Sequence, residues 1–200
     1  MNSKTIALFG IILLITLAGG LAAQQEDKFG AMDTIIVEPY QIDARNWGIN
    51  VSMINDEEIV AISVPVTFSA GQNRLVADST NFGNGGRAEN FRVKIGRPDT
   101  STQCVTIGLI ADVGISIPPM PAGKGRIATI FVSSLDKKDI SGFKVDTTTT
   151  PPGNSLLLVT PPSEGIVPAL IIKAAGKEPP KEPKKEEKKV EVNPEKKEGN

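Results

Sequence analysis

Val60-Ala61-Ile62-Ser63-Val64-Pro65-Val66-Thr67-Phe68 is the stretch on which the fold turns. Val60, Ile62, Val64, Val66 and Phe68 fall on one side; Ala61, Ser63, Pro65 and Thr67 fall on the other. A period of two sustained over this length is a strand with one buried face. Pro65 has no N–H to give to a ladder, so the same stretch predicts a bulge, a strand break or an edge position there.

The pattern repeats on both sides. Upstream, Trp47, Ile49, Val51 and Met53 alternate with Gly48, Asn50 and Ser52, and Asn55-Asp56 reads as a turn. Downstream, Phe91, Val93 and Ile95 alternate with Arg92 and Lys94, and Val105, Ile107 and Leu109 with Thr106 and Gly108. Residues 126–133 form a further strand pattern, with weaker ones at 142–145, 156–160 and 166–173. No interior segment carries a sustained 3.6-residue period with caps. About nine short strands without a helix predict an all-β, antiparallel two-sheet sandwich of jelly-roll or immunoglobulin-like type. A closed barrel is the alternative. The expected core holds Val60, Ile62, Val64, Val66, Phe68, Val93, Ile107 and Phe131.

The ends differ in character. Lys4, an apolar run over residues 6–17 and the small residues Ala18-Gly19-Gly20 precede Leu21-Ala22-Ala23 and the polar Gln24-Gln25-Glu26-Asp27. This is the order of a secretory signal peptide, expected at 1–23 and cleaved after Ala22 or Ala23. A membrane anchor is the competing reading, but the run falls short of the ~20 residues that span a bilayer. The expected domain is 24–175. Residues 176–200 are Lys, Glu and Pro with only Val190 and Val192 apolar, a composition that cannot offset the entropy of ordering and predicts a solvated, disordered tail. Secretion follows, to a periplasmic, extracellular or cell-surface location, with no membrane span left after cleavage.

Several chemistries are excluded or weakened by composition. With no histidine and one cysteine, Cys104, the chain has no Ser-His-Asp or Cys-His arrangement, no ordinary zinc site and no internal disulfide. Cys104 reads as a small buried residue. A formal net charge of −1, without a concentrated basic block, gives no footprint for nucleic acid. Asp78, Asp99, Asp112 and Asp136 each adjoin a turn, and nothing pairs two of them as glycoside hydrolysis requires. Asp56-Glu57-Glu58 beside Asn55 is the densest acidic group of the domain and reads as a solvated turn, with Ca²⁺ as the alternative. Gly83-Asn84-Gly85-Gly86-Arg87 lacks the Lys-Ser/Thr of a phosphate loop. Trp47 lies in the apolar phase of its strand, so the low aromatic content, 4%, leaves little for a sugar-stacking platform. No catalytic residue, metal or cofactor is expected.

The order of segments resembles the cohesin-type modules. Residues 55–68 look like a strand of that family with an alternating apolar face. Phe91-Arg92-Val93-Lys94-Ile95-Gly96 and Cys104-Val105-Thr106-Ile107-Gly108-Leu109-Ile110-Ala111 are placed like its middle strands. Pro121-Ala122-Gly123-Lys124-Gly125-Arg126-Ile127-Ala128-Thr129-Ile130-Phe131-Val132 is similar to its Gly-rich turn and following Ala-Thr-Ile-x-Phe strand. The likeness covers roughly 33–172. It differs at Ser69-Ala70-Gly71, where cohesins commonly carry an acidic or Tyr-Asp element. The resemblance implies a nine-stranded sandwich that binds a protein partner, a dockerin in that family, on one sheet face and catalyses nothing. Strand parity puts Ser63, Thr67, Arg92, Lys94 and Thr106 on that face, a small, polar and lightly basic set. A carbohydrate-binding or cell-surface adhesion domain, with a glycan ligand, is the alternative. A second candidate surface is the 81–87 loop.

Overall fold

The structure, a computed structural model, describes residues 30–83, 86–89, 91–111, 118–150 and 154–177. The expected leader at 1–23, nearly all of the expected tail at 176–200, Asn84 and Gly85 of the Gly-rich loop, and Asp112 lie outside the described residues.

The described residues form twelve strands and no helix: β1 (Thr34–Gln41), β2 (Asn46–Asn55), β3 (Ala61–Ser69), β4 (Leu75–Asn81), β5 (Val93–Asp99), β6 (Cys104–Ile110), β7 (Gly123–Ser134), β8 (Lys144–Asp146), β9 (Leu157–Thr160), β10 (Glu164–Ile166), β11 (Ala169–Ile172) and β12 (Gly176–Lys177). Sheet one runs β11-β1-β2-β7-β4, with β12 also on β1; sheet two runs β10-β9-β3-β6-β5, with β8 also on β3. The expected two-sheet sandwich is present. It has twelve strands: the weak segments give β8 to β11, β12 forms at 176–177, and β4 lies where residues 75–81 carry no clear alternation. It is not wholly antiparallel, since β11 and β12 run parallel to β1. Gly176 and Lys177 pair with Tyr40 and Gln41.

The core lies between the sheets. Ile35, Val37, Ile49, Val51 and Met53 of sheet one face Val64, Val66, Phe68, Ile107, Leu109 and Leu158 of sheet two, all nearly excluded from solvent. Each fully buried aliphatic side chain contributes ~1.5–3 kcal/mol of transfer free energy. Trp47 is buried and stacks on Phe143 with centroids 4.5 Å apart.

Pro65 sits in the middle of a central strand, and its missing N–H is accommodated by a gap. On one side β3 pairs with β6 throughout. On the other, β9 pairs with Ala61 to Ser63 and β8 with Thr67 to Ser69, so Pro65 falls between them. Its carbonyl accepts from the Thr147 hydroxyl at 2.8 Å. The expected edge is therefore local, within an otherwise interior strand.

Two assignments to the core are corrected. Phe131 is half-buried on the outer face of sheet one, opposite Gly48 and Ser79, while its neighbours Ile130 and Val132 enter the core. Both phases of that strand are apolar, so periodicity alone does not choose between them. A bulge where Ser52 follows Val51 sets the choice: Ala128 pairs with Val51 and Arg126 with Ser52, leaving Ile127 as the extra residue. Val93 is the second correction. It is 38% exposed and faces away from the core, because its register with β6 puts it in the outward phase.

Candidate functional site

The outer face of sheet two is built by β3, β6 and β5, joined by β9. Residues paired across a ladder share a face. Ile62, Val64 and Val66 point into the core and pair with Leu109, Ile107 and Val105. The opposite phase therefore faces outward. One row of it is Val159, Ala61, Ile110 and Val93; the next is Leu157, Ser63, Gly108 and Ile95; the next is Pro65, Thr106 and Arg97; the last is Thr67, Cys104 and Asp99.

The phase of β5 is the reverse of the one its own alternation indicates. Lys94 pairs with Leu109 and Gly96 with Ile107, both core residues of β6. Lys94 and Gly96 thus take the inward phase, and Val93 and Ile95 turn out. Gly96 explains why this is possible. A β-carbon there would lie 2.3 Å from Thr80 Oγ1 and 2.4 Å from Thr80 Cβ, so β4 of the other sheet closes directly onto the glycine. Lys94, at the sheet edge, escapes the interior: its ammonium donates to the Glu89 carbonyl at 2.9 Å. Phe91 is buried, but a turn in which its N–H donates to the Ala88 carbonyl precedes the strand and breaks the alternation.

The face is consequently more apolar than the sequence indicates. Val93, Ile95 and Ile110 are 38%, 48% and 45% exposed, a connected group across two strands. Ser63 and Gly108 keep the middle of the face low, and Leu157 and Val159 border it, half-buried. Of the five residues expected here, Ser63, Thr67 and Thr106 share the outward phase, Arg92 is exposed just before β5, and Lys94 takes the other phase at the edge. Thr106 is tied down, its hydroxyl donating to Asn154 Oδ1 at 2.9 Å. Arg97, which sequence reasoning left out, stands exposed in the outward phase beside it. The signal that would have found Val93, Ile95 and Arg97 is the register with β6, which a single strand does not carry.

Cys104 is 2% exposed, and burial pushes its thiol above the ordinary range, which removes the thiolate that reactivity needs. At the nearby turn Asp99 accepts from the Ser101 hydroxyl at 2.6 Å and from the backbone N–H groups of Ser101 and Thr102, which hold its carboxyl below the usual value. Asp78 accepts from the Ser133 hydroxyl and Asp136 from the Arg74 N–H. Tyr40 folds over Gly48 on the other sheet, with both it and Trp47 at 7% exposure, so neither presents a ring face for sugar stacking.

The acidic group near Asp56 is composed differently from the sequence reading. Carboxylate oxygens of Asp33, Asp56 and Glu57 lie within 4.8 Å of one another, with Asp33 replacing Glu58. Asp56 accepts the Ala31 N–H at 2.7 Å, and its pKa is lowered chiefly by a hydrogen bond with Glu57. A cation is already at hand in Arg87: partial burial weakens the hold of its guanidinium on the proton, and the charge of Asp33 opposes that. Arg87 does not project from its loop as a binding residue. It reaches inward, donating to Asn55 Oδ1 at 2.5 Å, to the Gly123 carbonyl at 2.7 Å and to the Pro121 carbonyl. Asn55 in turn donates to the Glu57 and Pro121 carbonyls, so its side chain is engaged in joining loops.

The sandwich is of the cohesin type. It superposes on the OlpA cohesin of a Clostridium thermocellum cohesin–dockerin complex with a TM-score of 0.55 at 11% identity, covering 72% of this chain and 99% of that one. The third ScaC cohesin of Acetivibrio cellulolyticus, solved with the ScaB dockerin, gives 0.54 at 11% identity over 72% and 96% of the two chains. The sixth cohesin of scaffoldin B from the same organism, solved with a Cel5 dockerin, gives 0.51 at 15% identity over 72% and 99%. At such identities the likeness is one of fold. No protein-family model and no curated protein matches the sequence.

Proposed function

We propose that this chain is a secreted, non-catalytic protein-binding module that docks a dockerin-like partner on the outer face of sheet two. The observation that carries the reading is the exposed apolar group Val93, Ile95 and Ile110 on an open sheet surface. Connected apolar surface left to solvent on a sheet is the kind that partners cover. The surrounding residues fit the anatomy of an interface, with an apolar centre and a polar rim. Arg92, Lys94 and Arg97 supply a cationic rim, and Ser63, Thr67 and Thr106 supply small polar contacts. The cohesin fold supports the same reading, because the superposed cohesins named above were solved bound to dockerins. The leader at 1–23 supports secretion.

The test is titration of the mature protein against a panel of purified dockerin modules by calorimetry, alongside Val93→Asp/Ile95→Asp. Saturable binding to a panel member, weakened at least about tenfold (~1.4 kcal/mol) by the double substitution at unchanged melting temperature, supports the reading. Binding untouched by the double substitution places the site elsewhere, and the absence of binding across the panel removes the dockerin-like partner.

A further inference from the structure

The opposite sheet has an outer face of its own. Its rows, read across β11, β1, β2 and β7, are Ala169, Thr34, Ile54 and Lys124, then Ile171, Ile36, Ser52 and Arg126. A groove of about 370 Å³ lies here, floored by Ile36, Ser52 and Ile54 and flanked by Lys124 and Lys173. Small Ser52, standing at the bulge, lowers the floor between Ile36 and Arg126. Ile54 is 43% exposed, and Ile171, next to Ile36 in its row, is 49% exposed. Lys124 and Lys173 are the cations among its lining residues, and Glu38 is the carboxylate, in an ion pair with Lys173 at 3.4 Å.

We propose that this groove is a second docking surface, taking an extended acidic segment of a partner protein that carries apolar side chains at alternate positions. Charge complementarity names the occupant: an apolar floor rimmed by more cations than carboxylates is matched by apolar side chains flanked by Asp or Glu. The spacing fits as well. Alternate side chains of a strand lie about 6.8 Å apart, the same as the repeat between the row of Ile54 and the row of Ile36. Concavity favours a peptide over a flat bilayer, because the groove receives side chains between its walls. The chain's own residues 178–200 hold seven lysines and seven glutamates, with no net charge to complement the rim. With sheet two engaged by its own partner, the domain would join two proteins on opposite faces.

The experiment uses the ¹⁵N-labelled mature chain and, as probe, a blocked heptapeptide alternating glutamate and valine. Saturable amide shifts confined to 34–38, 52–54, 124–126 and 171–173 are expected. Lys124→Glu/Ile54→Asp, both at exposed positions, should weaken binding about tenfold or more while the spectrum stays dispersed and the melting temperature unchanged. A peptide alternating lysine and valine should not bind. The proposal is overturned by the absence of saturable shifts, by shifts centred on β5 and β6, or by an affinity indifferent to the double substitution. Three results would assign the groove to another occupant and equally overturn it. One is cosedimentation with phosphatidylglycerol vesicles lost in Lys124→Glu while the peptide fails to bind. Another is shifts in the groove that depend on protein concentration without peptide. The third is a peptide affinity raised by Val190→Asp/Val192→Asp, which would mean that the tail was competing.

Discussion

Gly96→Ala is the perturbation that tests the arrangement most directly, because the two possible phases of β5 give it opposite signs. In the structure the new methyl would be driven to 2.3–2.4 Å from Thr80 Oγ1 and Cβ. Thr80 Cβ is fixed to the backbone of β4, so relief requires the two strands to part and not merely a side chain to rotate. Overpacking of this kind costs ~1–3 kcal/mol. The loss of glycine's freedom in the unfolded chain offsets ~0.4–1 kcal/mol of it. A net destabilisation of about 1.3 kcal/mol remains at the midpoints of these ranges, and ~2.6 kcal/mol at most; the midpoint corresponds to a fall of about 3–5 °C in Tm for a domain of this size. Gly108 is the internal control. It lies one strand away in the outward phase, and a β-carbon there meets only Ile95 Cβ at 3.8 Å, an ordinary contact. Gly108→Ala should be neutral or stabilise by up to ~1 kcal/mol. Scanning calorimetry and urea denaturation of the two variants measure both. If Gly96→Ala matched or exceeded the wild-type Tm, Gly96 would face solvent, Val93 and Ile95 would face the core, and the docking surface proposed for sheet two would lose its centre.

Three further outcomes follow from other contacts. Arg87→Ala removes the guanidinium that joins Asn55 to the Pro121 and Gly123 carbonyls and leaves buried Asn55 Oδ1 without this donor, so urea denaturation should show a loss of about 1–3 kcal/mol. Asp43, Asp56 and Asp99 have carboxyls held below the ordinary 3.8 by hydrogen bonds, so the stability they contribute is present above that value and is lost as pH falls through it toward their folded values; Tm should decline below about pH 4, and Asp99→Asn, Asp56→Asn and Asp43→Asn should each flatten the decline. Buried Cys104, its thiol raised by desolvation, should resist an aromatic disulfide reagent at pH 8 in the native protein and react fully once urea unfolds it; prompt native reaction would contradict its burial.

What the sequence by itself determined is the period of each strand and the class of fold. The alternation from Val60 to Phe68 named the inward face of β3 without ambiguity, since one phase is aliphatic or aromatic and the other small or polar. The same contrast placed Trp47, Ile49, Val51 and Met53 inside, and Pro65 announced a place where pairing must lapse. The tertiary structure decided the cases in which a strand's two phases compete. In β7 both phases carry apolar residues, and the register set by the bulge beside Val51 sends Ile130 and Val132 inward and Phe131 outward. In β5 the apolar phase is the one that turns out, because β6 fixes its register and Thr80 needs the space that only glycine leaves at position 96. Arg87 belongs with these, its partners lying more than thirty residues away along the chain. The physical reason is common to all. A period of two separates a strand's faces but does not say which is the inner one, and that sign comes from the neighbouring strand and the opposing sheet.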